Sequence, residues 1–217
     1  MITKQILKSR EEWLEARSHT IGGSDAAAVI GLSPWKSNVE LWEQKTGISK
    51  NKEEIPENPL MTYGINAEPL LRDLFKLDFP GMTVFYEENN RFLNSSFPWA
   101  HASLDGWMED EAGRAGVLEI KTAMIMNAAQ SLKWREKIPQ NYYVQVLHEM
   151  AVMEADFAIV KAQLKREYGG NLTITTSHYI IEREEVQEDI DYLMDAEQAF
   201  WESVQMKRKP GLLLPEI

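Results

Sequence analysis

Cysteine is absent from this chain of 217 residues, so disulfides and thiolate metal sites are excluded, and any metal must sit on oxygen or imidazole ligands. Histidine is scarce. His19, His101, His148 and His178 include no pair at zinc-like helical spacing, which favours oxygen ligands and Mg²⁺ or Mn²⁺. No apolar run is long enough to span a bilayer. Met1-Ile2-Thr3-Lys4 lacks the charged-then-apolar plan of a signal peptide, so the expectation is a cytoplasmic chain with no membrane partner. Positive charge is also in deficit: the formal net charge is −11, which argues against holding nucleic acid by charge alone. Bases concentrate in Lys133-Trp134-Arg135-Glu136-Lys137, Lys161 to Arg166 and Lys207-Arg208-Lys209, each of which also reads as a solvated helix face or loop. There is no internal repeat and no low-complexity tract.

What is present, 44% hydrophobic and 26% charged residues, suits one elaborated domain spanning 1–217. Its expected parts are a helical N-terminal region at about 1–60, a core at about 61–180, and a C-terminal helix and tail at about 181–217. Ser9-Arg10-Glu11-Glu12 has capping-box spacing and predicts a helix over Arg10 to Arg17. Ile21-Gly22-Gly23 leads into a second short helix over Ala26 to Ile30, with Ser24 at or near its N-cap and Gly31 as its stop. Ser33-Pro34-Trp35 is a turn. Ser37 with Glu40 repeats the capping box before a helix that Gly47 ends. Ser49 to Pro59 reads as a surface loop, and Thr62 to Leu77 as a helix that Pro69 either kinks or delays to Asn66. Met82 to Tyr86 and Arg91 to Asn94 look like a hairpin, followed by strands over Trp99 to Trp107 and Gly116 to Thr122. A helix over Ile138 to Glu154, strands over Phe157 to Leu164 and Leu172 to Ile180, and a last helix ended by Lys209-Pro210-Gly211 complete the pattern. Helices thus flank a mixed central sheet, an α/β architecture.

Ser103-Leu104-Asp105-Gly106 and Val117-Leu118-Glu119-Ile120-Lys121 carry the chemistry. Alternate strand residues share a face, so Glu119 and Lys121 point one way while Leu118 and Ile120 point into a core. If the two strands pair, Asp105 and Glu119 meet beside one lysine. Two carboxylates with a neighbouring ammonium can hold a hard divalent cation against a phosphodiester, which suggests a magnesium-dependent nuclease. The same set also reads as a solvated strand edge with one ion pair. Lys121 could orient or help deprotonate a water, and stabilise charge. Glu68 is either a third acid for the site or the i,i+4 partner of Arg72. Gln145, on the helix after the Glu-x-Lys strand, either reaches the site or stays on the surface. Arg17 and Ser24 beside Gly22 and Gly23 could clamp an anion, or be a Gly-rich turn with a capping serine. Trp35, Trp99 and Trp107 could stack on bases or pack in the core.

At this point the chain resembles a known family, the phage-type 5′→3′ DNA exonucleases similar to lambda exonuclease and the YqaJ-like viral recombinases, within the PD-(D/E)xK nuclease superfamily. The similarity runs from about Trp13 to Met150. It rests on "RSHTIGGSDAAAVIG" from Arg17, "SPW" from Ser33, "YGINAEP" from Tyr63, "ASLDG" from Ala102, "LEIK" from Leu118 and "PQNYYVQVLHEM" from Pro139, taken in joint order and spacing. The resemblance implies a restriction-endonuclease-like core, with 61–180 as its catalytic part. It implies Asp105, Glu119, the Ile120 carbonyl and Glu68 as ligands of a pair of Mg²⁺ ions, with Mn²⁺ as substitute, and Lys121 and Gln145 as catalytic. Arg17, Ser24 and Ser103 would be the pocket for a 5′-terminal phosphate. It further implies action on double-stranded DNA ends in a bacterial host cytosol, leaving a 3′ single-stranded tail for recombination by strand annealing, a homotrimeric ring, and a single-strand annealing protein as partner. The absence of cysteine excludes the iron–sulfur nucleases of the superfamily. Two other readings use the same residues: a PD-(D/E)xK endonuclease or junction-resolving nuclease, and a non-enzymatic scaffold that binds DNA ends.

Overall fold

The computed structural model describes residues 1–48, 58–135 and 137–214. A mixed α/β architecture is built on two sheets. The larger has the strand order β3 (Thr83–Phe85), β6 (Gly106–Glu109), β7 (Ala115–Met124), β8 (Phe157–Tyr168) and β9 (Asn171–Glu182). Only β7 and β8 are parallel. Their crossover carries α5 (Ala128–Lys133) and α6 (Gln140–Met153), as a parallel pair requires. Both faces of the sheet are covered, so β7 reads as a buried strand rather than a half-solvated one. Leu118, Ile120 and Ile159 pack on Ala67, Leu71 and Phe75 of α4 (Pro59–Asp78). Val117 and Val160 pack on Val146, Leu147 and Met150 of α6 and on Ile190 and Leu193 of α7 (Arg183–Gln205). The face that carries Glu119 and Lys121 is therefore also interior.

The smaller sheet, in the order β1 (Ile2–Ile6), β4 (Asn90–Asn94), β5 (Ala100–Ala102) and β2 (Ile21–Gly22), gathers the N-terminal part with α1 (Arg10–Ser18), α2 (Gly23–Val29) and α3 (Asn38–Lys45). The expected hairpin of Met82 to Tyr86 with Arg91 to Asn94 does not form. β3 pairs with β6, and β4 pairs with β1 and β5, because the turn at Asn89, with φ +55°, feeds β4 into the other sheet. The expected strand over Trp99 to Trp107 is likewise two strands, β5 in one sheet and β6 in the other, and Asp105 precedes a strand instead of ending one. The crossing segment is pinned by Asn90, whose side-chain amide donates to the Leu104 carbonyl at 2.9 Å and accepts from the Leu104 amide at 2.8 Å. That two-point clamp, 4% exposed, fixes the backbone on which Ser103 and Asp105 stand.

Other local expectations resolve on simple grounds. α1 is capped by Ser9 and α3 by the Ser37–Glu40 box. α2 begins two residues earlier than a Ser24 cap implies. Gly22 is its N-cap, and Ser24 lies inside the helix with its hydroxyl turned to Arg17. α4 runs unbroken from Asn58, whose side chain caps Leu60 at 2.9 Å, through Pro69. Most of the loop expected over Ser49 to Pro59 lies outside the described residues. α7 ends at Gln205, before Lys209-Pro210-Gly211, where Lys207 turns at φ +53°. Among the described residues no helix is long and apolar enough to cross a membrane.

Candidate active site

Antiparallel pairing of β6 with β7 sets Gly106 against Leu118, which brings Asp105, one residue earlier, beside Glu119 and Ile120. Asp105 Oδ2 accepts the Ile120 amide at 2.8 Å. Glu119, 2% exposed, is met by Lys121 Nζ at 2.5 Å. Two residues apart on a strand, they share the α6 face as the period of two requires. Gln145 of α6 completes the group. Its amide oxygen accepts Lys121 Nζ at 3.1 Å, and its amide nitrogen donates to Glu119 at 2.7 Å and to Glu149 at 2.9 Å. With an ammonium on one side and two carboxyl oxygens on the other, only this amide orientation matches donors to acceptors. Glu68 of α4 arrives from the opposite side. It pairs with Arg72 at 2.5 Å, and Arg72 Nε also donates to the Asp105 carbonyl at 2.5 Å. The i,i+4 pair and the approach to the site are one structure, not alternatives.

The charges are crowded. Burial and the neighbouring Glu119 carboxylate push Asp105 up to about 7. Burial and Asp105 push Glu68 up to about 7, against the opposing pull of Arg72 and Lys121. Burial would lower the Lys121 ammonium, but Glu119 and Asp105 outweigh it and hold it above the ordinary lysine range. Glu149, buried under Glu119, is raised well above a normal carboxyl. Negative charge is thus in excess of the available cations, and every donor is oxygen, a set that suits a hard divalent ion. Among the described residues no three His, Asp or Glu side chains converge to hold a metal by themselves. Asp105, Glu119 and Glu68 each engage a protein group, Asp105 the Ile120 amide, Glu119 Lys121 and Gln145, and Glu68 Arg72. Asp105 and Glu119, oxygen donors brought side by side, are the residues that could hold a hard divalent ion.

The second cluster joins α1, the first turn of α2 and the segment between β5 and β6. Arg17 donates to Ser24 Oγ at 2.7 Å, and its guanidinium stands 4.2 Å from the centre of the Trp13 ring. Trp13 Nε1 in turn donates to Ser103 Oγ at 3.2 Å. Arg17, Ser24 and Ser103 are therefore brought together, and Trp13 wires them. Burial lowers the Arg17 pKa while Asp25 and Glu149 oppose it. Asp25 ties down the turn before α2, accepting Lys45 at 2.8 Å and Lys36 at 3.2 Å. Gly22 and Gly23 serve close approach: a Cβ at Gly22 would lie 2.7 Å from the His101 ring, and one at Gly23 would lie 2.7 Å from Glu149.

Beyond Lys121 a cleft of about 860 Å³ opens between α4 and the α5–α6 segment, bordered by Tyr63, Lys133, Tyr142 and Lys165. Trp35 stands 71% exposed at its rim, 6.2 Å from Tyr142. Trp99 and Trp107 instead pack against Phe97 and Phe92. Of the basic segments, Lys133 and Lys165 reach the cleft, whereas Lys161 is buried on Asp78 at 2.5 Å and Lys209 pairs with Glu43. Sequence reasoning gave no role to Trp13, Asn90 or Glu149. Glu149 was detectable, since it stands one helical turn after Gln145. Asn90 was not, because its partner Leu104 is a backbone contact fourteen residues away.

Known proteins share this fold. Among solved structures, the alkaline exonuclease (LHK-Exo) of Laribacter hongkongensis aligns at a TM-score of 0.61 and 20% identity, over 92% of this chain and 97% of that one. The same enzyme in complex with dAMP aligns at 0.62 and 18%, over 91% and 96%. A phage related exonuclease of Haemophilus somnus 129PT aligns at 0.53 and 14%, over 87% and 96%. These share the fold. In sequence, the uncharacterized protein YqaJ of Bacillus subtilis (strain 168) is 30% identical over 204 residues, 93% of this chain, and the chain spans 58% of that relative's length. The YqaJ-like viral recombinase domain matches residues 12–156, two thirds of the sequence, and the chain belongs to that family.

Proposed function

We propose that the protein is a Mg²⁺-dependent 5′→3′ exonuclease that removes nucleotides from double-stranded DNA ends and leaves a 3′ tail for recombination by strand annealing. The observation that carries the reading is the adjacency of two unlike clusters: an acidic one with a single ammonium, and a guanidinium with two hydroxyls. The first suits phosphodiester hydrolysis, and the second suits a terminal phosphate. A bound Mg²⁺ would offset charge on the phosphate and acidify a water. Asp105 and Glu119 would hold it with the Ile120 carbonyl, Glu68 facing the same space. Lys121 and the Gln145 amide then orient the attacking water and balance the charge gathering on phosphate oxygen. Arg17, with Ser24 and Ser103, holds the 5′ phosphate, so cutting is measured from an end. The solved structures sharing the fold include named exonucleases, one with a nucleotide monophosphate bound, which agrees with a terminal cut. A homotrimer and an annealing protein partner belong to the same proposal through the family resemblance, as do the single-domain organisation and action in the host cytoplasm.

Incubation with Mg²⁺ and linear or covalently closed circular duplex tests it. Mononucleotides from linear DNA and an untouched circle are expected. Cutting of the circle would instead establish an endonuclease, and no release from either would leave a DNA-end-binding scaffold. The pocket is tested separately. Loss of a charge-assisted hydrogen bond amounts to ~1.5–3 kcal/mol, so Arg17→Ala should lower kcat/KM on 5′-phosphorylated ends by about 10- to 100-fold. On 5′-hydroxyl ends the change should stay within about threefold. Equal losses on both would move the phosphate site elsewhere.

A further inference from the structure

Glu149 is not used by the chemistry above, yet it is 1% exposed beside the acidic cluster. Its Oε1 accepts the Gln145 amide at 2.9 Å, and its Oε2 has no hydrogen-bond partner. A buried carboxyl with one oxygen unpaired is unfavourable for folding, so its presence calls for another reason. Without it, the Gln145 side chain would keep two contacts, to Glu119 and Lys121. Both lie on β7 and both are groups that must rearrange when a cation or phosphate arrives. Glu149 lies on the same helix as Gln145, one turn away, and is independent of that rearrangement. It is also walled in from the other side: the first turn of α2 approaches so closely that a Cβ at Gly23 would stand 2.7 Å from Glu149 Oε1 and 3.2 Å from Gln145 Cγ.

We infer that Glu149 is a positioning residue, held between α2 and α6 to keep the Gln145 amide set against Lys121 and Glu119. The inference rests on the nuclease reading above. Gln145 is placed in the machinery by its bonds to Lys121 and Glu119; Glu149 touches neither substrate nor metal, its hydrogen bond goes to Gln145, and its charge near Arg17 is not needed to keep a guanidinium protonated. It follows that an acceptor oxygen at this position is required and a negative charge is not. It also follows that the effect falls on turnover, regardless of whether the end carries a phosphate.

Three variants, assayed on linear duplex with Mg²⁺, decide the matter. Glu149→Gln keeps an acceptor of the same shape and should hold kcat within about threefold. Glu149→Met keeps the length but offers no acceptor. Its kcat should fall by ~10²-fold, the scale of a misplaced catalytic group, with KM little changed, equally on 5′-phosphate and 5′-hydroxyl ends. Its Tm should not drop, because an unpaired buried oxygen has been removed. Gly23→Ala pushes on the same two side chains from α2 and should reproduce the fall in kcat. It keeps the inference testable if the methionine variant fails to fold. Wild-type kcat in a folded Glu149→Met, or a Glu149→Gln as impaired as the methionine variant, overturns the inference while the nuclease reading stands. A wild-type protein that releases no nucleotide overturns both.

Discussion

Asp105→Asn is expected to depress Mg²⁺-dependent nucleotide release by about 10³-fold and, in metal-free buffer, to make the protein more stable. The two effects have one cause. Asparagine keeps the carbonyl that accepts the Ile120 amide but removes the anionic oxygen that the proposed reading gives to the metal. It also removes a carboxyl that burial and Glu119 push up to about 7. In the unfolded chain that group titrates near 3.9. An acid whose pKa is raised by folding binds its proton more tightly when folded, so wild-type stability declines as pH climbs from about 4 to about 7. The variant escapes that decline. Its advantage should be nil near pH 4 and complete above pH 7, on the order of 2–4 kcal/mol for a site partly open to water, or about 5–10 °C in Tm. Mg²⁺ should close the gap by stabilising the wild type alone. Melting curves at pH 4 and pH 8, with chelator and with Mg²⁺, read all of this. Identical curves at pH 8 in chelator, or retained turnover, would remove Asp105 from the site.

The same residues show how far the sequence could be read. Glu119 and Lys121 were legible because a strand alternates and Leu118 and Ile120 mark its other face. What alternation cannot show is that α6 covers their face too. An isolated Glu-x-Lys therefore also reads as a solvated edge, where the fold has a buried Glu119 paired with a Lys121 that opens on the cleft. Asp105 was legible as a candidate, but its strand was not. A run from Trp99 to Trp107 is continuous in propensity, and only the Asn90 clamp on Leu104 shows that it changes sheet between Ala102 and Gly106. The false hairpin has the same origin, since β3 and β4 are adjacent in sequence yet take partners from different sheets. Local signals fared better. The Ser9 and Ser37 caps are where the spacing put them, because caps depend on three or four consecutive residues. Ser24 is not the cap because the helix starts earlier, at a Gly22 cap whose amide the Asp25 side chain accepts, and its hydroxyl meets Arg17 instead.

Lys121→Met should abolish hydrolysis and, unlike Asp105→Asn, should destabilise the protein. Methionine retains the apolar stem that lies against Tyr142, where Lys121 Nζ now sits 4.8 Å from the ring centre, but removes the donor to Glu119 and Gln145. Loss of a group that orients water or transfers a proton lowers turnover by ~10²–10⁴-fold, and binding of DNA ends should survive because the Arg17 pocket is untouched. Glu119, 3% exposed in its side chain, would be left as a buried anion without its ammonium, a loss of about 3–5 kcal/mol for a broken buried pair. The stability loss should therefore depend on Glu119. Adding Glu119→Gln to Lys121→Met should recover most of the Tm without recovering any turnover, and the cycle isolates the pair from the rest of the site. On the proposed reading Mg²⁺ would offer a second route to the same end, since a divalent ion held by Asp105 and Glu119 would supply the missing positive charge. If Lys121→Met cleaves at the wild-type rate, the ammonium is a structural counter-ion to Glu119 and the reacting group lies elsewhere. If turnover is lost while Tm stays at the wild-type value, the Lys121–Glu119 pair contributes nothing to stability and the ammonium serves the reaction alone.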